Sequence, residues 1–196
     1  MGRSRFKFHE NYHPYFITSS IVDGIPLFSD PQIVNIVLDS FRFIQYEWDV
    51  KLYGYVIMEN HLHCTVQHEE ISKIVKNFKS YTAKMIINSL EKRGRSLILD
   101  KLIFAKKIQK KQSQYQVWQE GVHPTQIDSD EKMEKVLDYI HFNPVKAGFV
   151  SNPEHWRYSS AIDYTGKRGL VPVTLFGENR SLSFRTAFPS RSLGTS

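Results

Sequence analysis

Two short apolar runs stand three residues apart in the middle of the chain, and no other feature restricts its fold as strongly. Leu52-Tyr-Gly-Tyr-Val-Ile-Met58 and Leu62-His-Cys-Thr-Val-Gln67 are rich in β-branched and aromatic residues, and the polar break Glu59-Asn60-His61 joins them. A break this short predicts an antiparallel strand pair, placed at the centre of a sheet. Tyr15 to Val22 has the same composition and ends at the turn signal Asp23-Gly24, which adds a third strand. Between these runs, Ile33, Val34, Val37, Leu38, Phe41 and Ile44 recur at helical spacing after Ser29-Asp30-Pro31, so a helix runs from Pro31 to about Tyr46.

The second half alternates less cleanly. From about Ser72 to Lys92, Ile74, Val75, Phe78, Tyr81, Met85 and Ile86 share one helical sector, and Lys73, Lys76, Lys79 and Lys84 occupy the opposite one. The stretch from Arg93 to Gln114 has no clear period and reads equally as a loop or as a helix that orders on binding. Val117-Trp-Gln119 and Thr125-Gln-Ile127 are candidate short strands. Asp128 or Ser129 caps a third helix carrying Met133, Val136, Leu137 and Ile140, which Pro144 is expected to stop near Asn143. His155-Trp-Arg-Tyr158 is an aromatic patch expected to pack back on the core. The order of elements predicts an α+β fold, an antiparallel or mixed sheet with helices packed on one face. One domain over 1–175 and a loose tail over 176–196 are expected.

Charge narrows the function classes. The 196 residues carry a formal charge of +6, with 41% apolar residues and one cysteine, Cys64. A single cysteine excludes an internal disulfide, and no apolar run approaches the ~18 residues of a membrane span, so no membrane partner and a cytoplasmic location are expected. Twelve Lys and Arg against two acids, Glu91 and Asp100, lie between Lys73 and Lys111. Lys73, Lys76, Lys79, Lys84, Lys106, Lys107, Lys110 and Lys111 are therefore candidate DNA-binding residues, with Phe78, Tyr81, Phe104 and Tyr115 available to stack on bases. A solvated basic helix pair explains the same charge.

Candidate chemistry is confined to two places. His61 and His63 sit at i and i+2 of an extended segment, so their rings share one side and can meet one divalent ion, or serve simply as surface or structural histidines. A closed thiolate zinc site is excluded by the lone Cys64. Tyr139 and Asn143 lie four residues apart on the third helix and flank its apolar stripe, where a hydroxyl and an amide oxygen share a face. A half-buried core tyrosine and a polar helix end account for them equally well.

Asn60-His61-Leu62-His63 after the strand Tyr55-Val-Ile-Met58 resembles the histidine-hydrophobic-histidine signature of single-tyrosine HUH transposases. Tyr139-Ile-His-Phe-Asn-Pro-Val-Lys-Ala-Gly-Phe-Val150 resembles the tyrosine block of their IS200-like, REP-associated branch. Phe78-Lys-Ser-Tyr81, Val117-Trp-Gln119 and Trp156-Arg-Tyr-Ser-Ser160 with Asp163-Tyr164 extend the likeness in the family's order, from about His13 to Gly166.

The resemblance implies a ferredoxin-like, HUH nuclease-like sheet with the histidine pair on a central strand and the tyrosine on a helix beside it. It implies His61 and His63 as metal ligands, Asn143 as the third, Tyr139 as nucleophile, and Mg2+ or Mn2+ as cofactor. The implied reaction is cleavage and rejoining of single-stranded or hairpin DNA through a 5′-phosphotyrosine, by a monomer or a homodimer. Lys135, one turn before Tyr139, is a candidate stabiliser of phenolate or phosphate. Two readings compete: a non-catalytic, domesticated DNA-binding protein, and a metal-dependent nuclease that uses activated water.

Overall fold

A computed structural model describes residues 12–106, 114–121 and 123–177. Four strands, β1 (Tyr15–Ser20), β2 (Lys51–Ile57), β3 (His61–Gln67) and β4 (His123–Gln126), form one sheet in the order β2-β3-β1-β4. All three pairings are antiparallel, with Ile17 opposite Cys64, Thr18 opposite His63 and Val56 opposite His63 in register. The helices are α1 (Pro31–Trp48), α2 (Ile71–Lys92), α3 (Ser96–Phe104) and α4 (Asp130–Lys146). This βαββαβ core, followed by a further helix, is the expected α+β antiparallel fold. Among the described residues no helix is long and apolar enough to cross a membrane.

The alternation of the strands divides the molecule into two layers. Tyr15, Ile17, Leu52, Tyr55, Ile57, Leu62, Cys64 and Val66 face the main core, where Ile33, Val37, Phe41, Ile74, Phe78 and Ile86 of α1 and α2 meet them. The opposite side chains, Phe16, Val56 and Met58 among them, face α4 through Met133, Val136, Leu137 and Ile140. The expectation of helices on one face thus describes α1 and α2, whereas α4 covers the other. A helix whose stripe holds only about one residue per turn needs its own partner surface, and the second side of β1, β2 and β3 supplies it.

Three further details differ from the sequence reading. β2 is an edge strand, not a central one. Its free side is covered by the 158–159 segment, where the Ile57 amide donates to the Tyr158 carbonyl, Val56 bridges Ser159, and the Trp156 indole donates to the Ile57 carbonyl. The aromatic patch therefore packs back as expected and protects a sheet edge. Ser96–Phe104 is helical, although its apolar residues gave no clear period. Pro144 does not stop α4 at Asn143: it is buried inside the helix, which continues to Lys146 and ends at Gly148 with φ +78°. Proline deprives only the Ile140 carbonyl of its helical partner, and packing of the buried ring holds the preceding residue helical. The expected loose tail lies outside the described residues from 178 onward, while Phe176 packs against Leu137, Tyr164 and their neighbours.

Two features fix α4 against the sheet. A register shift between Leu52 and Gly54 inserts Tyr53 as a bulge, and a Cβ at Gly54 would lie 2.6 Å from Leu137 Cδ2. His141, buried on α4, is 2.9 Å from Ser160 Oγ, which in turn accepts from the Tyr55 amide at 2.9 Å. Gly54→Ala is therefore expected to destabilise the fold by about 1–3 kcal/mol, as overpacking does, in urea unfolding. Burial holds the His141 imidazole down to about 4, below its unfolded value near 6.5. The unfolded chain thus binds more protons than the folded one between pH 6.5 and 4, and stability is lost as pH falls through that window. His61 and His63, also lowered by burial, add with the same sign. His141→Gln should flatten this acid slope by up to about 1.4 kcal/mol per pH unit, measured by urea midpoints from pH 7 to 4.5.

Candidate active site

β3 emerges from the two-residue turn Glu59-Asn60 with His61 and His63 on its α4 side, as strand alternation requires. Their ring centroids lie 4.9 Å apart at 74°. α4 brings Tyr139 over the same patch, with its ring 5.2 Å from that of His63, edge to face. Phe16 of β1 completes the cluster, stacked on His63 at 5.4 Å and edge-on to Tyr139 at 5.8 Å. His63 is 4% exposed, whereas Tyr139 is 42% exposed, so the cluster opens to solvent on the tyrosine side.

Each histidine is oriented through Nδ1. His61 Nδ1 is 2.7 Å from Asn60 Oδ1, and His63 Nδ1 is 2.8 Å from Thr18 Oγ1. Among the described residues neither Nε2 has a hydrogen-bond partner. Burial lowers His61, and burial followed by the neighbouring His61 charge lowers His63 to about 3. Both rings are therefore neutral near pH 7, the form that binds a metal.

No group of three or more His, Cys, Asp and Glu side chains that could hold a metal ion occurs among the described residues. The donor set fits an ion only as an open site, with two imidazole nitrogens and oxygen donors completing the sphere. Asn143 is half-buried one turn beyond Tyr139, and its side chain has no hydrogen-bond partner among the described residues.

The basic residues divide differently from the sequence expectation. Lys135 is exposed and pairs with Glu131 at 2.6 Å. Lys146, which sequence reasoning passed over, lies with Nζ 5.6 Å from the centroid of the Tyr139 ring. Its position seven residues after Tyr139, two helical turns along one face, was the signal available. Phe16 and Thr18 were likewise legible only as alternate residues of β1.

Lys73, Lys76, Lys79 and Lys84 stand on α2, across the sheet from the histidines. Lys73 pairs with Glu70 at 2.9 Å, and Lys79 donates to the Gln119 and Gly121 carbonyls while lying over the Trp118 ring. Lys76 and Lys84 are exposed, and Lys106 is half-buried. Lys107, Lys110 and Lys111 lie outside the described residues. Of the aromatic residues expected to stack on bases, Phe78 is buried against Phe41 in the core, while Tyr81 and Phe104 are exposed.

Comparison with known proteins adds to this geometry. The sequence profile of the family described as "Transposase IS200 like" matches residues 25–143, a span that holds His61, His63, Tyr139 and Asn143. A solved REP-associated tyrosine transposase, bound to a REP hairpin, superposes with a TM-score of 0.61 at 18% identity, covering 93% of this chain and 96% of that one. A candidate transposase from Deinococcus radiodurans R1 is more distant, with a TM-score of 0.43, 16% identity, and 71% and 95% coverage. No curated protein sequence matches significantly. The first superposition shows the shared fold, and the profile match spans more than half of the sequence: the chain belongs to the IS200-like transposase family, whose members are enzymes acting on DNA.

Proposed function

We propose that this protein cleaves and rejoins single-stranded or hairpin DNA by strand transfer through Tyr139. The observation that carries the proposal is the approach of the Tyr139 ring to 5.2 Å from His63, which places a solvent-accessible phenol beside two neutral imidazoles. The family supports a DNA-processing enzyme, and a relative of the same fold is known in complex with a REP hairpin.

Tyr139 is the nucleophile in this reading. Its Oη forms a bond to the scissile phosphorus, and the bond from phosphorus to the 3′ oxygen breaks, leaving a 5′-phosphotyrosine and a free 3′-OH. The phosphodiester energy is conserved, so the strand can be rejoined to another 3′ end without ATP. Phe16, packed against both Tyr139 and His63, holds the phenol ring in register with the histidines.

His61 and His63 would hold a divalent cation, Mg2+ or Mn2+, with the Asn143 amide oxygen as third protein donor. Such an ion, when bound, polarises the scissile phosphate and bears the charge that develops on the leaving oxygen. A phenol with a pKa near ~10 is a weak nucleophile at neutral pH, so positive charge beside Tyr139 contributes directly. Lys146 supplies that charge from the protein side, because its ammonium lies over the ring whereas that of Lys135 is engaged by Glu131. The exposed lysines of α2 would meet DNA away from the reacting centre.

Labelled hairpin DNA incubated with the protein and Mn2+ should give a covalent protein–DNA adduct on a denaturing gel. Tyr139→Phe should abolish the adduct while keeping DNA binding, and His61→Ala should lose it as well. Cleavage that survives Tyr139→Phe would instead establish hydrolysis by activated water and end the strand-transfer reading. Lys146→Ala should slow adduct formation about 5- to 10-fold, the ~1 kcal/mol of an exposed cation on an aromatic ring. Lys135→Ala should leave the rate within about two-fold, as expected for a surface pair.

A further inference from the structure

We infer that Asn60 is a positioning residue that selects the tautomer of His61 and so turns that ring into a metal donor. Asn60 matters in this way only if the histidine pair holds the ion of the strand-transfer reading above. A neutral imidazole carries one proton, on Nδ1 or on Nε2, and only the other nitrogen can donate a lone pair to a metal. His61 Nδ1 stands 2.7 Å from Asn60 Oδ1, and an amide oxygen can only accept. The proton is therefore on Nδ1, and the Nε2 lone pair is the one left free.

The amide orientation that imposes this choice is itself imposed. Asn60 Nδ2 donates to the Gly24 carbonyl at 3.3 Å, and reversing the amide would set its oxygen against that carbonyl, acceptor against acceptor, so the observed orientation with Oδ1 toward His61 is the one held. Gly24 adopts φ +66°, and its close approach brings a Cβ built there within 3.5 Å of Asn60 Nδ2. The turn that carries Asn60 is held from the same side. The Ile21 amide donates to the Asn60 carbonyl at 2.8 Å, the Phe28 amide to the Glu59 carbonyl at 2.9 Å, and the Met58 amide to the His61 carbonyl at 2.8 Å. The segment from Ile21 to Phe28 thus fixes the turn, the turn fixes the amide, and the amide fixes the proton. Thr18 holds Nδ1 of His63 at 2.8 Å, but a hydroxyl both donates and accepts and so orients that ring without selecting its tautomer.

The test uses the full chain with 15N-labelled histidine rings, free of metal, and long-range 1H–15N correlation NMR. His61 is expected to show a protonated Nδ1 and an unprotonated Nε2. In Asn60→Ala the two tautomers should mix, and Mn2+ followed by electron paramagnetic resonance should bind about 10- to 100-fold more weakly, the usual loss when an outer partner of a ligating histidine is removed. A wild-type His61 carrying its proton on Nε2 overturns the inference. So does an Asn60→Ala protein that folds with its tautomer and Mn2+ affinity unchanged. If the alanine variant does not fold, the wild-type spectrum decides alone. Tyr139→Phe should alter neither readout, so a failure of strand transfer and a failure of the Asn60 assignment are distinguishable.

Discussion

The seating of α4 on the sheet is the contact on which the rest of the site depends. The helix has a thin apolar stripe, and it lies close to β2 because position 54 has no side chain and because the bulge at Tyr53 resets the register beside it. Leu137 fills the space a Cβ would take, Ile140 meets Val56 and Met58, and the buried His141 is tied through Ser160 to the β2 backbone. Tyr139 lies in sequence between the first two of these anchors, Leu137 and Ile140. Its position over His63 therefore follows from backbone packing on either side of it, and its own ring remains half open to solvent.

That arrangement explains why the cluster combines a dry floor with a wet rim. Strand β3 is paired on both sides, which buries His63 between β1 and β2, while His61 stands one step nearer the turn and the solvent. Burial keeps both imidazoles neutral, and hydrogen bonds to Nδ1 restrict how each ring can turn. Preorganisation of this kind lowers the entropy cost of collecting groups around a reacting centre.

Much of this was legible in the sequence, for reasons that differ by element. β2, β3 and α1 were read nearly to the residue because their patterns have a single period and clear punctuation, such as Asp30-Pro31, where the Asp30 side chain does accept from the Gln32 amide. The pairing of Tyr139 with the histidines was legible only through the resemblance, since residues 76 positions apart share no local period. α3 was illegible because its apolar residues crowd together without a polar face to set the phase. The run of α4 through Pro144 was missed because a local rule yields when the proline ring is buried near a helix end. Lys146 was overlooked in favour of Lys135, as sequence spacing cannot tell which lysine is already engaged by a carboxylate.

The two layers separated by the sheet have a consequence for how the molecule can change. The four-stranded ladder stands between α2 and the histidine cluster, so the outer surface of α2 and the cluster lie on opposite sides of the sheet. On the reading proposed above, substitutions among the exposed lysines would retune affinity for a polyanion at a distance from Tyr139 and the histidines, and adjustments beneath α4 would retune reactivity away from that surface. Recognition and chemistry would then be open to independent change, with the sheet as the partition between them.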